Sequence, residues 1–252
     1  MSSHRSHFAT TTAALGLGLF AGAAQAQWTG KGELGLLVSR GNAEATSANA
    51  KVDVAHETGS WKNSAFFGML YGKNSAFTTA QRTEARWQTD YKISERLFWF
   101  GALRGEQDRY SGFNYQVTFS TGAGYKFVET EATKLTASLG AGYRRSQPEE
   151  LIKSDAGEVL GRIRGNATSD AVGSAGFDFS HQLTATTKLL DKFLVESGSS
   201  NTSAQNDFAV QVSMTEAIAL SVGYGVRYNT NPPDGATKTD QLMTVNLVYR
   251  IK

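Results

Sequence analysis

Polar and apolar positions alternate along most of this chain. From Arg82 to Ile93 every even position is charged or an amide, while the odd positions carry Thr83, Ala85, Trp87, Thr89, Tyr91 and Ile93. A strand sends these two sets to opposite faces, whereas a helix would scatter them around its circumference. The pattern recurs over Tyr115–Phe127, Leu135–Tyr143, Ile218–Tyr228 and Met243–Ile251, and in weaker form over Trp28–Val38, Thr46–His56 and Ala171–Phe179. It predicts twelve strands, at residues 28–39, 45–57, 61–73, 80–93, 97–108, 114–127, 133–146, 167–181, 187–197, 206–214, 217–229 and 239–251. The phase is blurred in three of them: at Phe66-Phe67, at Leu97-Phe98-Trp99-Phe100, and at Asp191, which falls on the apolar side of its strand.

The connections alternate too. Those after even-numbered strands are short, around Thr58–Ser60, Ser94–Arg96, Glu129–Glu131, Thr184–Thr186 and Thr215-Glu216. Those after odd-numbered strands are mostly longer: Arg40–Glu44, Asn74–Thr79, Arg109–Phe113, Gln147–Asn166, Gly198–Gln205 and Thr230–Lys238. Short turns at one end and longer loops at the other mark an outer-membrane barrel. A soluble β-sandwich also alternates, but its strands usually run to about five or six residues. Many here run to a dozen, which suits the roughly 9–11 residues of a tilted spanning strand. Trp28, Trp61, Trp99, Tyr125, Phe127, Tyr143, Tyr228 and Tyr249 fall near strand ends, as interfacial girdles require. The predicted fold is an all-β, transmembrane, antiparallel up-and-down barrel of about twelve strands. The even count places both termini in the periplasm.

The first residues carry a different pattern. Met1–His7 is polar with Arg5 as its fixed positive charge, Phe8–Ala23 is apolar or small, and Ala24-Gln25-Ala26 offers a small-x-small cleavage site. Residues 1–26 are expected to be a secretory signal peptide cleaved before Gln27, leaving 27–252 as the barrel domain. The apolar stretch is shorter than the roughly 20 residues of a spanning helix.

Composition removes several functions. The chain has no Cys, which excludes disulfides, thiol catalysis and Cys-metal sites. Lys+Arg is 25 against 23 Asp+Glu, a net charge of +2, too small for a nucleic-acid groove. The mean hydropathy of −0.33 is that of a soluble protein. In a barrel that average misleads, because half of each strand faces inward. Two His remain after the leader, His56 and His181, each expected as an interfacial residue near a turn. Neither belongs to a local nucleophile–base pattern, and two isolated His make no metal site, so neither enzyme activity nor a cofactor is expected. Gly122-Ala123-Gly124 and Gly140-Ala141-Gly142 read as relief of crowding inside a curved wall, not as nucleotide loops. Glu149-Glu150, in the longest loop, read as solvated charge. Glu106 and Asp108, beside Arg104, read as part of a structural ion network.

The facing rule sends Lys31, Lys51, Lys62, Arg82, Arg86, Lys92, Arg104, Lys126, Lys134, Arg144, Lys188, Lys192, Arg227 and Arg250 inward. It does the same for Glu33, Asp53, Glu57, Glu84, Asp90, Glu106, Asp108, Asp170, Asp178, Glu196, Asp207 and Asp240. Such charges cannot face lipid, where a midplane Lys or Arg costs about 2–4 kcal/mol. Their near balance argues against a strong ion preference. Candidate pore-lining residues are Arg82, Glu84, Arg86, Arg104, Glu106, Asp108, Arg144, Arg227 and Asp240, in the central or outer parts of their strands. Twelve strands fall between the eight or so that fill with side chains and the 16–18 that leave a channel. Both a narrow wet passage and a lumen closed by Arg–carboxylate pairs and loops fit that size.

Ser39-Arg40-Gly41-Asn42, Thr58-Gly59 with Trp61, Gly105-Glu106-Gln107-Asp108-Arg109-Tyr110-Ser111-Gly112-Phe113-Asn114-Tyr115 and Gly122-Ala123-Gly124-Tyr125-Lys126-Phe127 together resemble the YdiY-like family. That family is a domain of unknown function carrying the label salt-induced outer-membrane protein, and the resemblance spans the whole mature chain. It implies a Gram-negative outer-membrane barrel and supplies no catalytic or ligand residues. The expected function is a narrow channel for ions or small polar solutes. The alternatives are a non-conducting structural or surface-interaction barrel and, last, a membrane-embedded hydrolase. Expected partners are outer-membrane lipid, lipopolysaccharide and the outer-membrane assembly machinery. A closed barrel resists detergent, so unboiled protein should migrate differently from boiled protein on a denaturing gel and should fractionate with outer membrane. Recovery as a soluble periplasmic species would revive the sandwich.

Overall fold

The computed structural model describes residues 27–39, 45–74 and 76–251. The leader expected over 1–26 and the connection expected over Arg40–Glu44 lie outside the described residues. Among the described residues every regular element is a strand. They are β1 (Gln27–Ser39), β2 (Ala45–Thr58), β3 (Trp61–Asn74), β4 (Thr78–Lys92), β5 (Leu97–Asp108), β6 (Phe113–Glu129), β7 (Thr133–Lys153), β8 (Val159–Arg164), β9 (Thr168–Gln182), β10 (Thr187–Gly198), β11 (Thr202–Ser213), β12 (Ile218–Asn229) and β13 (Thr239–Ile251).

Each strand pairs antiparallel with its sequence neighbours, except that β7 passes over β8 to pair with β9. The first strand pairs with the last, from Gly30↔Ile251 to Gly35↔Asn246. That seam, six residue pairs long at the terminal end of β1 and β13, closes twelve of the thirteen strands into a barrel. The start of β1 and the end of β13 share one end of the barrel, called here the terminal end; the opposite end is the loop end.

The thirteenth strand corrects the expected long loop over Gln147–Asn166. β7 continues past the wall to Lys153 and folds back as β8, pairing from Glu149↔Arg164 to Lys153↔Val159. This hairpin stands beyond the barrel wall, where no lipid face imposes alternation. Two other loop-end connections are shorter than expected. β11 begins at Thr202, so only residues 199–201 link it to β10, and β4 begins at Thr78.

The blurred phases resolve into one outward and one inward set. Phe67, Trp99 and Leu103 are exposed on the outside. Phe66, Phe98 and Phe100 turn inward, where Phe98 lies so close to Gly124 that a Cβ there would sit 2.1 Å from its ring. Outer side chains reach 70% exposure at Leu139 and 72% at Met243, while inward Asn246 is 2% exposed. The outer aromatics are tied by register: Trp61 pairs with Tyr91, and Tyr91 with Trp99. Trp61 and Tyr91 rings lie 4.9 Å apart, and Trp28 packs against His56 at 4.6 Å with the rings tilted by 39°. On β3, Tyr71 follows Trp61 by ten residues, or about 33 Å of strand at ~3.3 Å per residue. At a tilt of ~40° that is about 25 Å along the axis, the height of an outer-membrane apolar band.

Single cysteines test the facing, since the chain has none of its own. Cysteines at Ala85, Phe119 and Leu139 should be shielded from polar thiol reagents in a bilayer, and those at Arg86, Ser120 and Ser138 should react wherever the lumen is wet. Reversed labelling within one strand would show a register slip there.

Candidate functional site

The lumen is crossed by side chains. Arg227 on β12 places one nitrogen 3.0 Å from Glu84 Oε2 on β4 and donates from the other to both Glu106 oxygens on β5 at 3.1 Å. In the barrel order β12 and β5 lie diametrically opposite. Arg104 on β5 makes the return span. Its Nε donates to Glu84 Oε1 at 3.0 Å, and its terminal nitrogens donate to Glu106, to Glu196 on β10 at 3.0 Å and to Gln205 on β11 at 3.0 Å. Two guanidinium groups thus join five strands through three carboxylates and an amide. The Glu84 and Glu196 side chains are only 6% and 5% exposed. Buried carboxylates need such complete pairing, because desolvation otherwise outweighs attraction. Arginine suits the task, since its planar fork serves two or more acceptors at once.

The sequence-derived pore residues divide around this bridge. Glu84, Arg104, Glu106 and Arg227 form it. Arg86 flanks it, with Nε 3.3 Å from Glu84 Oε1 and its guanidinium 4.3 Å from the Phe66 ring centroid. Arg82 and Asp108 face each other more loosely at 3.9 Å. Asp240 lies nearer the loop end, accepting from Thr237 Oγ1 at 3.2 Å. Arg144 stands apart: it donates to the Asn201 carbonyl and to Ser203 Oγ, clamping the β10–β11 connection. Two functional residues escaped the sequence-derived set. Glu196 was visible as an inward carboxylate near the loop end of its strand, but Gln205 fell in a segment read as loop.

The bridge separates two compartments. Toward the loops, about 530 Å³ of space, part of it open to solvent, is lined by Arg104, Glu106, Asp108, Phe113, Glu196, Gln205, Arg227 and Asp240 among others. Toward the terminal end, a chamber with about 1140 Å³ of space, part of it open to solvent, is lined by Lys31, Glu33, Lys51, Asp53, Phe66, Arg86, Lys192, Asp207 and Asn246 among others. Its wall is mixed: Phe66, Met69, Leu70 and Leu190 stand beside the charged groups, and Lys31 and Asn246 both donate to Glu33, at 2.7 and 3.0 Å.

Loops fold over the loop-end compartment. Leu151 N, on the extension of β7, donates to the Asp234 carbonyl of the β12–β13 connection at 3.0 Å, and Glu149 N donates to the Gly112 carbonyl at 2.8 Å. Gly235, with φ of +80°, comes so close that a Cβ would sit 2.1 Å from the Leu151 oxygen. Gly112, at φ +81°, seats Pro233 and Ala236 in the same way. Glu149 corrects an expectation. Its side chain is buried, not solvated, and it accepts from Arg162 at 3.1 Å and Arg164 at 3.2 Å on β8. The hairpin creates that pairing, so a loop reading could not anticipate it.

Residues 32–251 match the sequence profile of DUF481, described as a protein family of unknown function. The chain belongs to the DUF481 family. The uncharacterized protein YdiY of Escherichia coli (strain K12) is 23% identical over 221 residues, covering 85% of this chain and 80% of YdiY. Among solved structures, this DUF481 chain is similar to the NanC porin at 11% identity and a TM-score of 0.48, over 89% of this chain and 100% of that one. It is similar to an outer membrane channel from Pseudomonas putida F1, also at 11% identity and a TM-score of 0.48, over 92% of this chain and 97% of that one.

In the DUF481 barrel the two histidines among the described residues bond to threonines: His56 Nε2 to Thr58 at 3.2 Å and His181 Nδ1 to Thr133 at 2.8 Å. Among the described residues no group of three or more His, Asp or Glu is arranged to hold a metal ion. The bridge has a measurable energetic signature. Arg104→Ala leaves Glu84 and Glu196 short of a partner and should cost about 3–5 kcal/mol, the usual consequence of breaking a buried pair. Urea unfolding followed by tryptophan fluorescence should show it, with Lys192→Ala, whose partner Asp178 is exposed, nearly silent. Equal effects would mean that the bridge is fully hydrated.

Proposed function

We propose that this protein is an outer-membrane barrel forming a narrow passage for ions or small polar solutes, held closed in the present conformation by the Arg104–Arg227 bridge. Both termini then lie in the periplasm, and the β7–β8 hairpin with the β5–β6 and β12–β13 connections faces outward toward lipopolysaccharide. Insertion depends on the outer-membrane assembly machinery. One observation carries the reading: what crosses the lumen between the two compartments is a set of charged side chains, not backbone. Opening such a bridge asks only for rotamer changes of the side chains that form it, so it can open without unfolding the wall. Charged constrictions also select which ions pass.

The folded-over loops favour a second reading, a non-conducting barrel whose outer surface meets partners. Single-channel recording on refolded protein separates the two. Wild type should show small or infrequent openings. Arg104→Gln combined with Arg227→Gln removes both spanning cations and leaves Glu84, Glu106 and Glu196 in place, so it should raise conductance several-fold and move the reversal potential toward cation preference. Arg144→Gln, outside the bridge, should leave the reversal potential where it was. Silence from both wild type and the double variant at every voltage would make the non-conducting barrel the better reading.

A further inference from the structure

The outside of the barrel is not uniform, and β9, β10 and β11 depart from the rest. Asp191 breaks the apolar phase of β10, between Leu189 and Phe193 on the same face. Its register partners are Phe179 on β9 and Phe208 on β11. Glu196, in the opposite phase of β10, meets Arg104 inside the lumen, and the pairing of β10 shows no register shift, so Asp191 points outward. Asn206 points outward by the same logic, because adjacent Gln205 accepts from Arg104. The two side chains meet: Asn206 Nδ2 donates to Asp191 Oδ1 at 2.6 Å, with a longer 3.3 Å contact to the Lys192 carbonyl. A carboxylate and an amide, ringed by phenylalanines, therefore sit on a face that hydrocarbon cannot solvate. Polar residues in that position mark function or association.

The second observation is independent of the first. Strands β9, β10 and β11 carry no Trp and no Tyr, although β1, β3–β7, β12 and β13 each carry at least one. Trp and Tyr collect where a wall meets the membrane–water interface. β2 also lacks both, but it lies between β1 and β3, which carry Trp28, Trp61 and Tyr71; three adjacent strands without them leave a continuous stretch of wall with no interfacial anchor. Toward the loop end the same face is flat, with Ala171, Gly173 and Ala204 outward, which allows a second backbone to approach.

We infer that β9–β11 is the interface through which two copies of this chain associate, face to face about a two-fold axis parallel to the barrel axis. This rests on the membrane-barrel reading above. A second copy is the occupant because Asp191, with Asn206 on Oδ1, has a second oxygen to fill at the same depth. A two-fold axis along the membrane normal delivers the partner's Asn206 at that depth. Asn206 has two N–H donors and Asp191 a second oxygen. Each copy therefore gives one hydrogen bond and receives one, the self-complementarity that a two-fold contact demands.

The absence of cysteine makes the test direct. Full-length chain carrying Phe193→Cys, refolded into phosphatidylcholine vesicles, should oxidise largely to a disulfide-linked dimer. Ala85→Cys, on β4 across the barrel, should stay monomeric under the same oxidant. Adding Asp191→Leu and Asn206→Leu to Phe193→Cys should lower the dimer yield several-fold, since apolar contact alone drives little association in lipid. A boiled-against-unboiled gel of each variant checks that the barrel has formed. A heat-modifiable Phe193→Cys protein that stays monomeric in vesicles would overturn the interface while sparing the barrel, as would its cross-linking in cells to a different protein. A chain that is never heat-modifiable would overturn the barrel reading and the interface with it.

Discussion

Everything in this structure follows from pairing the first strand with the last. Hydrocarbon offers no partner for backbone N–H and C=O groups, so a spanning sheet must close on itself. The β1–β13 seam does this, from Gly30↔Ile251 to Gly35↔Asn246. Closure gives the wall an inside and an outside, and the pleat deals successive residues to each. The alternation visible in the sequence is the consequence. Leu139 and Met243 can be exposed because lipid is their solvent, and Asn246 is buried because the lumen is narrow.

Closure also decides where the charges go and what they must do there. Side chains barred from lipid are concentrated inside a tube of twelve strands, close enough to meet across it. Replacing such a network by well-packed apolar residues is often neutral or stabilising, so the bridge is not explained by stability alone. It holds β4 and β5 against β10, β11 and β12 through Arg104 and Arg227 while keeping the middle of the lumen charged. The folded-over loops act in series with it. They are held by backbone hydrogen bonds and by the Glu149 pairs with Arg162 and Arg164, not by the wall.

What the sequence revealed, and what it hid, divides along the same line. Strand positions and facing were legible because lipid imposes one rule on every residue of the wall. The inward direction of Arg104, Glu106 and Arg227 came with it. The Arg104–Glu106 contact on one strand was legible as well, but the partners across the lumen were not. Which inward residues meet depends on the stagger of the strands around the barrel, and Arg227 reaches Glu84 across 143 positions of sequence. The β7–β8 hairpin was hidden for the opposite reason. Outside the membrane no solvent rule marks its strands, and Glu149 finds its arginines only after the hairpin has formed.

Strands β10 and β11 bring these levels together. Elsewhere an apolar face fixes register, because a slip of one residue would turn the whole face inward. On β10 and β11 polar groups occupy both faces: Glu196 and Gln205 inside, Asp191 and Asn206 outside. The hydrophobic pattern alone therefore specifies register weakly here. Two hydrogen-bond sets supply what it lacks, Arg104 gripping the inner face and the Asp191–Asn206 pair the outer one. A slip would break both sets at once, leaving carboxylates unpaired in the lumen and in lipid. The same two strands thus carry one side of the bridge and the centre of the outer face that departs from the rest. The position of the bridge and the pairing of that face are not independent, since both are set by the single register of β10 on β11.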